Sequence, residues 1–91
     1  MKGVRLILKG RVQGVGYRYF AMKEAEKLGI NGYVRNLPDG SVEVVYIPDN
    51  SEKEQIFLQR LKKGPFLARV DGVERTEITL PDELSGFEIR Y

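Results

Sequence analysis

Residues 4–29 read VRLILKGRVQGVGYRYFAMKEAEKLG, a stretch in which apolar residues first alternate with polar ones and then recur at helical spacing. Apolar and mostly charged side chains alternate over residues 4–12, which predicts a half-buried strand. From Tyr17 onward apolar residues recur at helical spacing, and Gly29 suits the left-handed conformation that often ends a helix. Glycines punctuate residues 10–16 between the two segments. The stretch therefore predicts a strand that turns through a glycine-rich loop into a helix.

The rest of the chain predicts four more strands and a second helix. The strands are expected at residues 30–36, 41–47, 70–80 and 86–91. Leu37-Pro38-Asp39-Gly40 joins the first two as a hairpin turn, because proline presets φ and glycine accepts the left-handed position. Ser51-Glu52-Lys53-Glu54 matches a capping box, so Ser51 is the predicted N-cap of the second helix. Gly64-Pro65 is expected to end that helix.

This order of elements, β-α-β-β-α-β with an extra C-terminal strand, predicts an α+β fold. It is typical of a ferredoxin-like α/β sandwich, in which two helices cover one face of a mostly antiparallel sheet. Ninety-one residues without a repeat or linker predict a single domain over residues 1–91, and we expect a monomer. There is no long apolar run and no secretory signal pattern, so a cytoplasmic location without membrane contact is expected.

The composition excludes several kinds of catalytic and metal-binding site, because the chain contains no histidine and no cysteine. Ser-His and Cys-His pairs, disulfides, and imidazole or thiolate metal sites are therefore excluded, and no metal or cofactor is expected. Residues 1–36 carry eight basic and two acidic side chains, whereas residues 37–91 carry seven basic and eleven acidic. The first third thus predicts a face that attracts anions, with scattered solvated charges as the alternative.

The loop between the first strand and the first helix reads Gly10-Arg11-Val12-Gln13-Gly14-Val15-Gly16-Tyr17-Arg18. Such a loop can turn successive backbone N–H groups toward one point, where the positive end of the following helix reinforces them. Arg18 falls in the first helical turn, which normally favours acidic residues, and such a local conflict is expected at functional sites. The loop is neither a Walker A motif nor a dinucleotide fingerprint. On these residues alone, a phosphate site and a tight connection both stay open.

The same run resembles the signature of the acylphosphatase family. A second motif of that family follows at Gly32-Tyr33-Val34-Arg35-Asn36 and continues at Gly40-Ser41-Val42. The resemblance extends along the whole chain, through Lys27-Leu28-Gly29 to the terminal Phe87-Glu88-Ile89-Arg90-Tyr91. One departure concerns the end of the third strand, where Pro48 stands in place of the glycine usual in the family. That position bears on local backbone geometry rather than on chemistry.

The resemblance implies an activity and a role for each site residue. The reaction is hydrolysis of the carboxyl-phosphate bond of acyl phosphates to a carboxylate and inorganic phosphate, with no metal, cofactor or phosphoenzyme. Asn36 should hold the attacking water, and Arg18 should bind the phosphate oxygens. Inorganic phosphate should be both product and competitive inhibitor. The residues to which phosphate binding is assigned are Arg11, Val12, Gln13, Gly14, Val15, Gly16 and Arg18.

Each candidate side chain also has a simpler structural interpretation. Arg18 could form a surface ion pair, and Asn36 could be a turn residue ahead of Pro38, a place that asparagine suits well. For Arg11 and Arg35, solvated strand positions are as good an explanation as substrate contacts.

Two other functions stay open for the same fold. One is a non-catalytic module that binds phosphate or carbamoyl phosphate, and the other is RNA binding on an exposed sheet. Aromatic residues at 17–20 resemble an RNA-binding stretch, but they open a helix instead of lying on a central strand. The net charge of +2 is also small for a polyanion partner, so no nucleic acid is expected.

Overall fold

The computed structural model describes residues 1–91 as five strands and two helices. The elements are β1 (Lys2–Arg11), α1 (Tyr17–Leu28), β2 (Gly32–Asn36), β3 (Val42–Tyr46), α2 (Ser51–Lys63), β4 (Arg69–Thr79) and β5 (Phe87–Arg90). The strands form one sheet in the order β4-β1-β3-β2-β5. The predicted α+β ferredoxin-like sandwich with an extra strand is confirmed. Neither helix is long and apolar enough to cross a bilayer.

The core lies between the two helices and one face of the sheet. On β1 the predicted alternation is confirmed, since Val4, Leu6 and Leu8 are fully buried while the residues between them are partly exposed. The helices contribute alanines from α1 and, from α2, Phe57 and Leu61. Burial of these apolar side chains is the main force that holds the helices against the sheet.

The sheet is mixed, because β5 pairs in parallel with β2. The other three strand pairs are antiparallel, so the prediction of a mostly antiparallel sheet is confirmed. After β4 the chain crosses to the end of the sheet where β2 begins, and there the Gly86 N–H donates to Asn31 Oδ1 at 3.1 Å. The Gly32 N–H in turn donates to the Gly86 carbonyl at 2.9 Å, so β5 starts beside β2 and runs in the same direction. Tyr91 therefore ends near Asn36.

The second helix begins one residue earlier than its capping box predicts. Asn50, in extended conformation, accepts a hydrogen bond from the Lys53 N–H at 2.9 Å and is the N-cap. Ser51 is the first helical residue, so its prediction as the cap is wrong. Both residues are good caps, and the backbone conformation of Asn50 decides between them. The predicted end at Gly64 is confirmed.

Gly10 is required where β1 and β4 approach each other. Its φ is +125°, and a Cβ there would lie 2.2 Å from the Arg69 carbonyl oxygen. We expect Gly10→Ala to lower the free energy of unfolding by about 3 kcal/mol, because strained backbone and overpacking both contribute. Gly72→Ala is the matched control, since a Cβ at that position in β4 meets open space. Urea denaturation measures both variants, and equal midpoints would contradict the expectation.

Candidate active site

The candidate site is a cleft of about 320 Å³ at one end of the sheet. The carboxyl ends of β1, β2 and β5 meet there, and α1 begins there. Its polar side is formed by Gly14, Gly16, Arg18 and Asn36. The fold thus brings the two predicted catalytic side chains to the same cleft as the glycine-rich loop.

The loop presents a row of backbone donors. Gly14 and Gly16 have φ of 72° and 78°, whereas every non-glycine residue of the chain has negative φ. Such alternation turns successive N–H groups toward one side of the chain and creates an anion-binding concavity. The N–H groups of residues 13–19 donate to no backbone carbonyl, and the first helical bond runs from Phe20 to Gly16. These free donors coincide with the positive end of the α1 dipole, so the loop can hold an anion.

Arg18 lies in the first turn of α1 without a carboxylate within ion-pair distance, so its interpretation as a surface ion pair is not supported. Its guanidinium carbon lies 4.7 Å from the centre of the Tyr91 ring. This cation–π contact restrains the side chain while leaving the planar N–H fork free. A guanidinium held in this way can bind two oxygens of a phosphate at once.

Asn36 is the last residue of β2, and its side chain lies on the helix-covered face of the sheet, like that of Val34. Its Oδ1 atom is buried and has no hydrogen-bond partner in the chain. The hairpin turn is closed by other groups, since the Ser41 N–H and hydroxyl both donate to Asp39. An unpaired buried carbonyl oxygen is costly, so this amide is not held by the hydrogen bonds of a turn residue.

The cleft also has an apolar part to its lining. Tyr19 from α1, Ile89 from β5 and Tyr91 contribute to it. The sequence did not single these residues out as site residues. Alternation of Phe87, Ile89 and Tyr91 shows that they share a face, but only the parallel β2–β5 pairing brings that face to the cleft.

Several residues of the phosphate-binding prediction contribute no side chain to the cleft. Val15 packs against the core, and the amide of Gln13 donates to the β2–β3 turn. Val12 is buried and lines the cleft floor. Arg11 is exposed at the end of β1, opposite Arg69, and does not line the cleft. Its role in phosphate binding stays a prediction.

Arg35 lies on the other face of the sheet. Its Nε is 2.6 Å from Glu43 Oε1, and Arg5 binds the other carboxylate oxygen at 2.5 Å. Burial by itself would raise the pKa of Glu43, but hydrogen bonds from the two arginines lower this pKa below its usual value. The carboxylate therefore stays ionised and holds both guanidinium groups. Arg35 therefore pairs with Glu43 across β2 and β3 and is not available to a substrate in the cleft.

Comparison with known proteins covers nearly the whole chain. A sequence model of the acylphosphatase family matches residues 4–89. The acylphosphatase of Caldivirga maquilingensis is 49% identical over 97% of this chain and 93% of its own. That of Thermus thermophilus is 59% identical over 75% of this chain and 76% of its own. The crystal structure of acylphosphatase from Bacillus subtilis has a TM-score of 0.90 at 36% identity, with both chains fully covered. The resemblance inferred from two sequence motifs is thereby confirmed, and the chain belongs to the acylphosphatase family.

Proposed function

We propose that this acylphosphatase hydrolyses acyl phosphates by direct attack of water on phosphorus in the cleft beside the glycine-rich loop. The N–H groups of residues 13–19 and the Arg18 guanidinium hold the phosphoryl group, and Asn36 holds the water. The observation that carries this proposal is the convergence in one cleft of unpaired backbone donors, a guanidinium without an ion-pair partner and the Asn36 side-chain amide. Each of these groups lacks a partner that phosphate or water would supply.

The phosphoryl group requires positioning and charge stabilisation more than acid–base chemistry. Phosphoryl transfer passes through a loose transition state whose charge is spread over the equatorial oxygens. The unpaired backbone donors of the loop and the Arg18 guanidinium lie at the same cleft and can stabilise that charge.

Asn36 is suited to orienting a neutral water. Asn36 lines the cleft, where its side-chain amide can hydrogen-bond a water and leave a lone pair of the water oxygen directed at phosphorus. No strong base is required, since departure of the leaving group makes phosphorus electrophilic enough for neutral water. The proton is lost from the attacking water to solvent or to the phosphate product.

The leaving group accounts for the absence of a general acid. A carboxylate of low pKa departs without protonation, whereas the alkoxide of a phosphate ester does not. The acyl group extends from the phosphoryl group toward the apolar side of the cleft, against Ile89 and the rings of Tyr19 and Tyr91. The site therefore favours acyl phosphates over phosphate esters.

The remaining features of the proposal come from sequence. Inorganic phosphate, the product that the same donors would bind, acts as a competitive inhibitor. We expect residues 1–91 to act as one monomeric domain in the cytoplasm. One core cluster that joins both helices to the sheet is consistent with a single domain.

An assay on several acyl phosphates, with a phosphate ester as control, tests the proposed activity. We expect hydrolysis of benzoyl phosphate and acetyl phosphate and no measurable hydrolysis of an alkyl phosphate such as glycerol phosphate, whose alkoxide is a poor leaving group. A chain that binds phosphate without turning over either acyl phosphate would instead be a phosphate- or carbamoyl-phosphate-binding module. A salt-sensitive complex with RNA and no turnover would favour the RNA-binding alternative.

Activity is expected to survive an excess of metal chelator. No carboxylate side chain lines the cleft, and the chain has no histidine or cysteine to ligate a metal there. The measurement is kcat for benzoyl phosphate before and after dialysis against EDTA, and the two values should agree. Loss of turnover that Mg²⁺ restores would overturn this prediction.

A further inference from the structure

Gln13 joins the glycine-rich loop to the turn after β2 through its side chain. Its Nε2 donates to the Leu37 carbonyl at 2.8 Å and to the Ser41 carbonyl at 2.8 Å. Gln13 is the first residue of the row of free N–H donors, and Leu37 follows Asn36 directly. A side chain of the phosphate-binding loop is therefore bonded to the backbone beside the residue that holds the water.

The orientation of the Gln13 amide follows from its partners. Both are carbonyl oxygens, which only accept hydrogen bonds, so the NH₂ group must face them. These carbonyls already close the hairpin: the Gly40 N–H donates to Leu37 at 3.2 Å, and the Leu37 N–H donates to Ser41 at 2.9 Å. Gln13 adds a second donor to each carbonyl and so binds to a turn that is already rigid.

No other hydrogen bond joins residues 12–16 to residues 36–42. The backbone donors of the loop set the position of phosphorus, and the end of β2 sets the position of the Asn36 amide. The two hydrogen bonds of Gln13 are thus the direct polar link between the two positions.

We infer that Gln13 is a positioning residue that fixes the distance between the phosphate-binding loop and Asn36. The inference rests on the proposed function, because it matters only if phosphate and water meet in this cleft. Attack on phosphorus requires the water oxygen on the line opposite the leaving group, and a displacement of about 1 Å can cost roughly 100-fold in rate. Binding of phosphate alone uses the backbone N–H groups of the loop and the Arg18 guanidinium, and the Gln13 side chain donates its hydrogen bonds elsewhere, to Leu37 and Ser41.

Gln13→Met tests whether turnover depends on the Gln13 amide while phosphate binding does not, since methionine has a similar length and no hydrogen-bond donor. We expect kcat for benzoyl phosphate to fall roughly 10- to 100-fold, while the inhibition constant of inorganic phosphate changes less than about threefold. Gln59→Met, on the exposed side of α2, is the matched control and should keep both constants. An unchanged kcat in Gln13→Met would overturn the inference. A parallel loss of kcat and of phosphate inhibition would also overturn it, because the loop would then have lost its phosphate-binding conformation.

Gln13→Glu supplies a second readout that a merely structural role would not move. An ionised carboxylate would face two carbonyl oxygens and be repelled, whereas a protonated one regains a single donor. The deficit in kcat relative to wild type should therefore shrink as the pH is lowered from about 8 to about 5. A deficit that is independent of pH overturns the inference. If Gln13→Met does not fold, the test rests on Gln13→Glu alone. Absence of acyl phosphate hydrolysis in the wild type would instead refute the proposed function itself.

Discussion

Replacing Arg18 by lysine is expected to lower kcat/KM for benzoyl phosphate by about a thousand-fold, a loss of the size seen when arginine is removed from phosphoryl transfer sites. Lysine keeps the charge but loses the planar fork that binds two phosphate oxygens together. It also loses the flat contact with the Tyr91 ring, which lies 4.7 Å away and restrains the arginine. The fold should be intact, because Arg18 forms no ion pair and α1 begins at Tyr17.

Inhibition by inorganic phosphate should weaken together with turnover in Arg18→Lys, since the same guanidinium binds substrate and product. Arg60→Lys is the matched control, because Arg60 pairs with Glu24 between the helices, away from the cleft. It should keep both constants. An Arg18→Lys enzyme with near-normal turnover would remove Arg18 from the proposed site.

Asn36→Ala is expected to reduce kcat by roughly a hundred-fold or more, equivalent to about 3 kcal/mol for one positioning hydrogen bond in a water-poor site. The water contact is used mainly in the transition state, whereas Arg18 and the loop also bind the ground state. Inhibition by phosphate should therefore stay close to that of the wild type. The substitution also removes an unpaired buried oxygen, so stability should not fall through loss of a hydrogen bond.

Asn36→Asp should be no better than Asn36→Ala, because a carboxylate beside the phosphate adds repulsion. Asn50→Ala is a control away from the cleft. Asn50 caps α2 by accepting a hydrogen bond from the Lys53 N–H, so its removal should cost stability and leave kcat unchanged. Retention of most kcat in Asn36→Ala would return Asn36 to its interpretation as a turn residue.

Local pattern was sufficient for most of the fold. The alternation in β1, the helical spacing after Tyr17 and the Pro-Asp-Gly turn act over a few residues, and each predicted its element. The direction of β5 could not be predicted in this way. Alternation of Phe87, Ile89 and Tyr91 is the same for a parallel and an antiparallel strand, and the hydrogen bonds that place β5 join residues 54 and 55 positions apart.

In the candidate site, too, some residues could be predicted from the sequence and some contacts could not. Arg18 is conspicuous in sequence, because an arginine in a first helical turn conflicts with the helix dipole. Asn36 is not conspicuous, since asparagine before a proline-containing turn is common. Only the resemblance to the family motif predicted its role. Its buried Oδ1 and the side-chain partners of Gln13 exist only in the folded chain. Sequence placed Gln13 correctly in the loop but could not reveal that its amide binds a turn 24 and 28 residues away.

Titration of ¹⁵N-labelled protein with inorganic phosphate, followed through the backbone amide resonances, tests most directly whether the loop and Arg18 hold the phosphoryl group. We expect the largest shifts at residues 13–19, with the Arg18 side chain, because their N–H groups are unpaired in the chain and would donate to phosphate oxygens. Asn36→Ala should show the same shifts at the same phosphate concentrations, and Arg18→Lys should require more phosphate. Shifts confined to other parts of the surface, with residues 13–19 unaffected at concentrations that inhibit the enzyme, would contradict this assignment.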